Sequence, residues 1–407
     1  MSAAGNGEIL YLCHRVPFPP DRGDKIRSHH LLRALCRVAP VHVGCFADDA
    51  RDLGFSTEMG DMAASLCVLP RNTRKLVAAA RGLYRRQPML VALFDHPAMH
   101  AWVRRTLATR PISTVVAYSA QMAHFVPSLP KETRFLMDFV DFDSAKYVSY
   151  AEGARGPMAW INRREGRELF AFEQSVAARA DVSTFVSEAE AAMFRAATGM
   201  GVDRVRALEN GVALDMFNPA SDFQPLTDEE RGSGPLIVFT GQMGYRPNVE
   251  AVRSFAHDSL PVIRAVHPDA RFAIVGRGPV PAVEALANLP GVTVTGAVRD
   301  VRGWLAAADV VVAPLRIARG IQNKVLEAMA MGRPVVASPE AAEGIDALDG
   351  RDLIVAATPD REAAAVLSLI ADPARAAALG VAARKRMEAR YDWAATLAGL
   401  PALLASR

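Results

Sequence analysis

The chain has 407 residues, 51% of them hydrophobic and 22% charged, which excludes a disordered or fibrous protein. At ~150 residues per domain it should form two or three domains, with room for two full cores. Lys and Arg outnumber Asp and Glu by only 47 to 44, too evenly for a protein that holds nucleic acid by bulk charge, so no nucleic-acid partner is expected. Cys13, Cys36, Cys45 and Cys67 form no Cys-x-x-Cys pair and have no histidines at metal-site spacing, so they read as thiols of a reducing compartment. No run of ~18 apolar residues is present. Ile9–Cys13 is too short for the apolar part of a signal peptide. A cytoplasmic protein is expected, with contact to the inner face of the membrane left open.

Short apolar runs alternate with helical patterns along the chain. Strands are expected at Glu8–Cys13, Val41–Phe46, Ser113–Tyr118, Arg134–Asp138, Val182–Val186 and Val205–Glu209. A second series falls at Pro235–Thr240, Arg271–Val275, Val292–Thr295, Val310–Ala313, Pro334–Ala337 and Asp352–Ala356. Helices are expected between them, at Ser28–Val38, Glu165–Ala180, Val249–Val266, Val301–Ala308 and Asp360–Ala371. Continuously apolar strands separated by helices imply parallel sheets covered on both faces. Two such series imply an α/β chain of two doubly wound, Rossmann-like domains. Residues 218–234, polar and rich in Pro, Gly and acid, read as the linker.

The most informative stretch is VVVAPLRIARGIQNKVLEAMAMGRPVVAS, Val310 to Ser338. A buried strand leads through a loop with Gly320 into a helix that Asn323 could cap, and Gly332 stops that helix. The helix N-terminus is an anion site, Lys324 adds a full charge, and Glu327 stands one turn on, where a carboxylate can accept from sugar hydroxyls. A nucleotide diphosphate and its ribose suit this pattern. An ordinary strand–loop–helix with solvated charges accounts for it equally well.

LEAMAMGRPVVAS resembles the donor segment of the retaining GT-B glycosyltransferases (glycosyl transferases group 1 type), and ENGVALDMFNP resembles the Asn-Gly-Val-x-x-x-x-Phe-x-Pro segment of the same group. CHRVPFPPDRGDKIRSHHLLRAL and DFVDFDSAKY further resemble the sugar transferases of exosortase/PEP-CTERM exopolysaccharide loci. The resemblance implies a GT-B fold, two Rossmann-like domains facing across a cleft. Residues 1–217 would form the acceptor domain, joined by a returning C-terminal helix at 391–407, and residues 235–390 the donor domain. It implies metal-independent transfer, with retention, from a UDP- or GDP-linked sugar to a glycan or lipid-linked saccharide. No cofactor is implied beyond that donor substrate. A nucleotide-sugar 2-epimerase of the same fold is the alternative, and a non-catalytic two-domain binding protein a third reading.

The resemblance carries Glu327 over as the ribose-type glutamate, while the group's first glutamate falls at Arg319. The group's phosphate-binding Arg and Lys fall at Gln242 and near Pro247, in FTGQMGYRPN after Gly241. Arg246, Arg319 and Lys324 are then the cations for the leaving diphosphate, with Lys324 the leading candidate. RFAIVGRGP lacks the third glycine of a dinucleotide fingerprint, so a tight turn near a nucleotide base is expected there, with Gly296–Val298 close by. Gly23, in the loop PFPPDRGDKIRS, would approach the donor's phosphates, with Lys25 or Arg27 opening the next helix. At the end of a strand stand Asp138, Asp141 and Asp143, acids suited to proton handling or hydroxyl binding. Asp141 is the expected catalytic residue with Asp138 behind it, and Asp143 reads equally as a helix N-cap. Asp141-Phe142-Asp143 also spells the Asp-x-Asp of metal-dependent GT-A enzymes. That reading needs one nucleotide-binding sheet where this chain offers two, so no metal is expected.

Between Arg71 and Arg110 nine Lys or Arg (Arg71, Arg74, Lys75, Arg81, Arg85, Arg86, Arg104, Arg105, Arg110) face one acid, Asp95. Leu76, Val77, Ala80, Leu83 and Tyr84 fall on one helical face there. A basic amphipathic helix suits an anionic membrane surface. A helix packed on the domain core fits the same pattern.

Overall fold

The computed structural model describes residues 7–20, 23–71, 82, 87–152, 156–318 and 321–405. The chain forms two compact units, Met1–Glu209 with Leu397–Arg407, and Asn210–Thr396.

Unit 1 is built on a seven-stranded sheet: β1 (Glu8–Cys13), β2 (Val41–Ala47), β3 (Ser65–Pro70), β4 (Ile112–Tyr118), β5 (Arg134–Val140), β6 (Val182–Phe185) and β7 (Val205–Ala207). The spatial order is β3-β2-β1-β4-β5-β6-β7 and every pairing is parallel. β1 and β2 are buried almost throughout, because helices cover both faces of a parallel sheet. The reversal of strand order lies between β1 and β4, where such sheets open a crevice at their carboxyl ends.

Unit 2 repeats the plan with six strands: β8 (Leu236–Thr240), β9 (Arg271–Val275), β10 (Val292–Gly296), β11 (Val310–Ala313), β12 (Val335–Ala337) and β13 (Ile354–Val355). Their order is β10-β9-β8-β11-β12-β13, again all parallel. Here the reversal lies between β8 and β11. One apolar core packs against these strands, its members running from Val212 to Tyr391.

The division of the chain differs from the expected one. Residues 218–234 belong to unit 2, since Phe223 and Leu226 pack on its core and Arg231 pairs with Asp309 at 2.9 Å. The ENGV segment also sits in unit 2: Val212 N–H donates to Tyr391 O at 2.7 Å, and a Cβ on Gly211 would lie 2.8 Å from the Trp393 ring. Tyr391 and Trp393 are buried there, so the return to unit 1 begins at Leu397 and not at Tyr391. Among the described residues no single helix is long and apolar enough to cross a membrane.

Candidate functional site

In unit 2 the carboxyl ends of β8, β9 and β10 carry Gly241, Gly276 and Gly296, joined by backbone bonds. Gly241 N–H donates to Val275 O at 3.0 Å and Gly276 N–H to Gly296 O at 3.2 Å. A Cβ on Gly276 would stand 1.7 Å from Gly241 O, so no other residue fits. The result is a bare backbone rim. Val298, expected near a base, packs partly buried on the unit 2 core two residues beyond Gly296.

Across the switch point from this rim runs the helix Asn323–Ala330. Its N-cap is Gln322, with no side-chain cap bond, so Asn323 is the first helical residue and not the cap. Asn323 Oδ1 is buried without a hydrogen bond, as is Thr240 Oγ1 at the end of β8. Lys324 Nζ lies over the Phe239 ring, 4.7 Å from its centroid, and donates to Asn248 Oδ1 at 2.5 Å. Asn248 is fixed in turn by donating to Gln242 O at 2.9 Å. A Cβ on Gly241 would press on Asn248, 2.7 Å from its Nδ2, and touch Lys324. Rim, amide and ammonium thus form one contiguous group.

Glu327 is half-buried, and among the described residues nothing hydrogen-bonds its carboxylate. Burial pushes it up to about 7, with Lys324 pulling the other way. Burial likewise takes Lys324 down to about 8, opposed by Glu327. A half-buried acid and base thus stand one helical turn apart, the acid without a hydrogen bond among the described residues, an arrangement that can take a polar, anionic guest. Arg246 stands apart: its guanidinium is exposed and pairs with Glu250 at 2.7 Å on its own helix, Arg246–Ser254. Arg319 and Gly320 lie outside the described residues.

In unit 1 a cavity of about 270 Å³ opens at the carboxyl ends of β1, β4 and β5, lined by His14, Arg15, Tyr118, Ser119, Asp141 and Asp143 among others. Asp141 lines it, as the strand-end position suggested. Asp138 does not: its side chain is fully buried and held by Arg27 through bonds of 2.9 and 3.1 Å. It is a positioning residue. Its carbonyl accepts from Ser119 N–H at 2.7 Å and its carboxylate from Val140 N–H at 3.2 Å. Both neighbours have left-handed backbone, φ 74° for Ser119 and φ 73° for Val140, a costly conformation for a β-branched residue. The Asp138 contacts thus hold strained backbone on the cavity floor.

Asp143 is the first residue of the helix Asp143–Glu152 and not its cap. The acceptors at that helix start come from elsewhere: Glu190 takes Phe142 N–H, and Glu173 takes Ser144 N–H at 3.3 Å and its hydroxyl at 2.5 Å. Lys146 bridges Asp141 at 2.7 Å and Asp143 at 3.0 Å, so the Asp-x-Asp carboxylates already share a cation. Burial raises Asp143 and takes Glu173 up to about 8. Burial opposes the charge on Lys146, yet Asp141 and then Asp143 keep it firmly protonated.

Gly23 is exposed and opens the helix Gly23–Cys36. The cations after it are consumed internally: Lys25 bonds Asp52 at 2.5 Å and Phe18 O at 2.9 Å, and Arg27 holds Asp138. Sequence reasoning passed over His14. Its ring stacks on Tyr118, with centroids 5.7 Å apart, its Nε2 is 3.4 Å from Asp24, and its buried Nδ1 has no hydrogen bond. Its place directly after β1 was the available signal. Of the basic segment, residues 72–81 and 83–86 lie outside the described residues, and with them Arg74, Lys75, Arg81, Arg85 and Arg86. Arg104, Arg105 and Arg110 are exposed, and Arg71 pairs with Asp48 at 3.1 Å.

Residues 234–372 match the family described as glycosyl transferases group 1. The chain is 33% identical over 245 residues to a GDP-mannose-dependent alpha-(1-6)-phosphatidylinositol monomannoside mannosyltransferase of Mycolicibacterium smegmatis, covering 56% of this chain and 63% of that one. It is 27% identical over 239 residues to a GDP-mannose-dependent monoacylated alpha-(1-6)-phosphatidylinositol monomannoside mannosyltransferase of Corynebacterium glutamicum, covering 54% and 61%. The matched stretches thus span less than two thirds of these relatives. Among solved structures, sucrose-phosphate synthase from Thermosynechococcus elongatus superposes with a TM-score of 0.69 at 20% identity over 98% of both chains. The glycosyltransferase WaaG does so with 0.65 at 16% over 97% of this chain and 99% of that one. Anabaena HepE, in complex with UDP, gives 0.67 at 14% over 98% and 99%. Two parallel Rossmann-like sheets and these likenesses agree: the chain has the GT-B fold of these glycosyltransferases, and its residues 234–372 match the glycosyl transferases group 1 family.

Proposed function

We propose that the chain is a glycosyltransferase that takes its sugar from a nucleotide-sugar bound to unit 2. The observation that carries this is the half-buried Lys324–Glu327 pair beside the glycine rim. The ammonium and the helix N-terminus neutralise the diphosphate, Glu327 accepts from the ribose hydroxyls, and the bare rim admits the base against backbone. GDP-mannose is the first donor to test, since two of the relatives carry it in their names, with UDP-glucose second. Transfer proceeds with retention and without a metal, and the acceptor is a glycan or lipid-linked saccharide seated against the unit 1 cavity with its hydroxyl toward Asp141 and His14. Similar proteins named as mannosyltransferases favour transfer over 2-epimerisation. The exposed Arg104, Arg105 and Arg110 would meet anionic headgroups if the acceptor is lipid-linked, and the pathway would be that of an exopolysaccharide.

Calorimetry with GDP, UDP, GDP-mannose and UDP-glucose tests the reading. One nucleotide should bind at one equivalent, and Lys324→Ala should weaken it at least tenfold. Binding of none, or binding indifferent to Lys324, would overturn it.

A further inference from the structure

Beside the unit 1 cavity, but not among the residues that line it, three ligand-type side chains converge. Asp95 lies between the helices Met89–Phe94 and Pro97–Thr109, His100 on the second of these, and His124 on the 3-10 turn Ala120–Phe125. His100 Nε2 is 3.1 Å and His124 Nε2 is 3.3 Å from the same oxygen, Asp95 Oδ1. The three ligand atoms all lie within 4.8 Å of one another. Zinc bonds of about 2.0–2.1 Å place tetrahedral ligands about 3.3 Å apart, close to the two oxygen–nitrogen separations from Asp95 Oδ1. Two imidazoles and one carboxylate form a donor set suited to Zn²⁺, and three protein ligands leave a fourth position for water.

The support around the triad is rigid. Arg179 donates to Ala123 O at 2.6 Å and to Val126 O at 2.7 Å, fixing the turn on either side of His124. Phe125 packs against both imidazoles, with centroids 4.7 Å from His100 and 5.7 Å from His124. The Arg179 charge faces His124 and works against a cation, while the Asp95 carboxylate works for it.

We propose that Asp95, His100 and His124 bind one Zn²⁺ through Asp95 Oδ1 and the two Nε2 atoms, the ring protons moving to Nδ1. The ion would tie the segment after Phe94, which lines the cavity, to the turn that carries His124. Sequence spacing could not show this, because His124 comes from a separate element.

Metal-free protein titrated with ZnCl₂ in a calorimeter should bind one equivalent, and His100→Ala and His124→Ala should each weaken it at least tenfold. Co²⁺ in place of zinc should give absorption of nitrogen and oxygen ligation. Thiolate charge-transfer bands would instead assign the metal to Cys36 or Cys67 and overturn the proposal. Asp95→Asn keeps a hydrogen-bond acceptor but removes the charge, so unchanged zinc affinity there would also overturn it. Should these variants fail to fold, the parent chain decides: zinc should protect His100 and His124 from diethyl pyrocarbonate, and equal labelling with and without zinc sinks the site. None of these measurements uses donor or turnover.

Discussion

Lys324 donates to Asn248, a residue 76 positions earlier on a different helix, and that bond sets where the ammonium points. In the family resemblance the phosphate cations sit just after the first strand of this domain. Here that region supplies an amide instead, and the amide aims a lysine from another element. Asn248→Ala should therefore lower nucleotide affinity three- to tenfold while leaving the melting temperature within a few degrees, as read by calorimetry and thermal unfolding. Asn248→Asp would form an ion pair with Lys324 and compete with the diphosphate, so it should weaken binding more than alanine does.

Glu327→Ala should reduce donor affinity at least tenfold, about 1.4 kcal/mol, because the ribose loses an acceptor that nothing nearby replaces. Stability should be kept or raised, since a half-buried carboxylate without hydrogen bonds is removed. Equal donor affinity of variant and parent in calorimetry would contradict the ribose role.

The pH dependence of donor binding follows from the same pair. Binding needs Glu327 ionised and Lys324 charged. Affinity should fall below pH about 7 as Glu327 takes up a proton, and above pH about 8 as Lys324 loses one. The two limbs belong to the pair as a unit. Lys324→Arg should move the alkaline limb out of the measurable range, and a flat profile in the parent would remove the assignment.

Asp138→Asn should destabilise unit 1 strongly, by about 3–5 kcal/mol, because it leaves the Arg27 guanidinium buried without its counter-charge. The double variant Arg27→Met with Asp138→Leu should recover much of that loss in denaturant unfolding. It should not recover full acceptor binding, since Val140 N–H loses the carboxylate that holds its strained backbone.

Glu173 offers a stability test with a clear sign. Burial raises its folded-state pKa to about 8 from the ordinary 4.5. The protonated form is thus favoured by folding, and its contribution is full below pH about 4.5 and lost as pH rises through about 8. Glu173→Gln keeps a partner for both Ser144 groups and cannot ionise. Its melting temperature should exceed the parent's above pH about 8 and match it near pH 4.5.

All but one of the strands were legible in the sequence because buried parallel strands read as unbroken apolar runs. β3 was not: SLCVLP is half-buried at the sheet edge, pairs only with β2, and lacks the β-branched density of its neighbours. Lys324 and Glu327 were legible because one helical turn is a local spacing. Asp138 was misread because its partner lies 111 residues away, and a strand-end aspartate looks alike whether it faces a cavity or a buried arginine. Asn248 and the grouping of Asp95 with His100 and His124 were missed for the same reason, since they arise only when separate elements meet, whereas His14 was missed although its place directly after β1 offered a signal.

The return of the chain into unit 1 has a consequence for synthesis. Leu400, Leu403 and Leu404 are buried in that unit, and Arg134 donates to Leu403 O at 2.5 Å. These residues leave the ribosome only after all of Asn210–Thr396, roughly 10–40 s behind Glu209 at ~5–20 residues per second. Through that interval the nascent first unit carries an open apolar seam beside β5, while the second can close as soon as it emerges. Of these two units, the one begun first is therefore the one completed second.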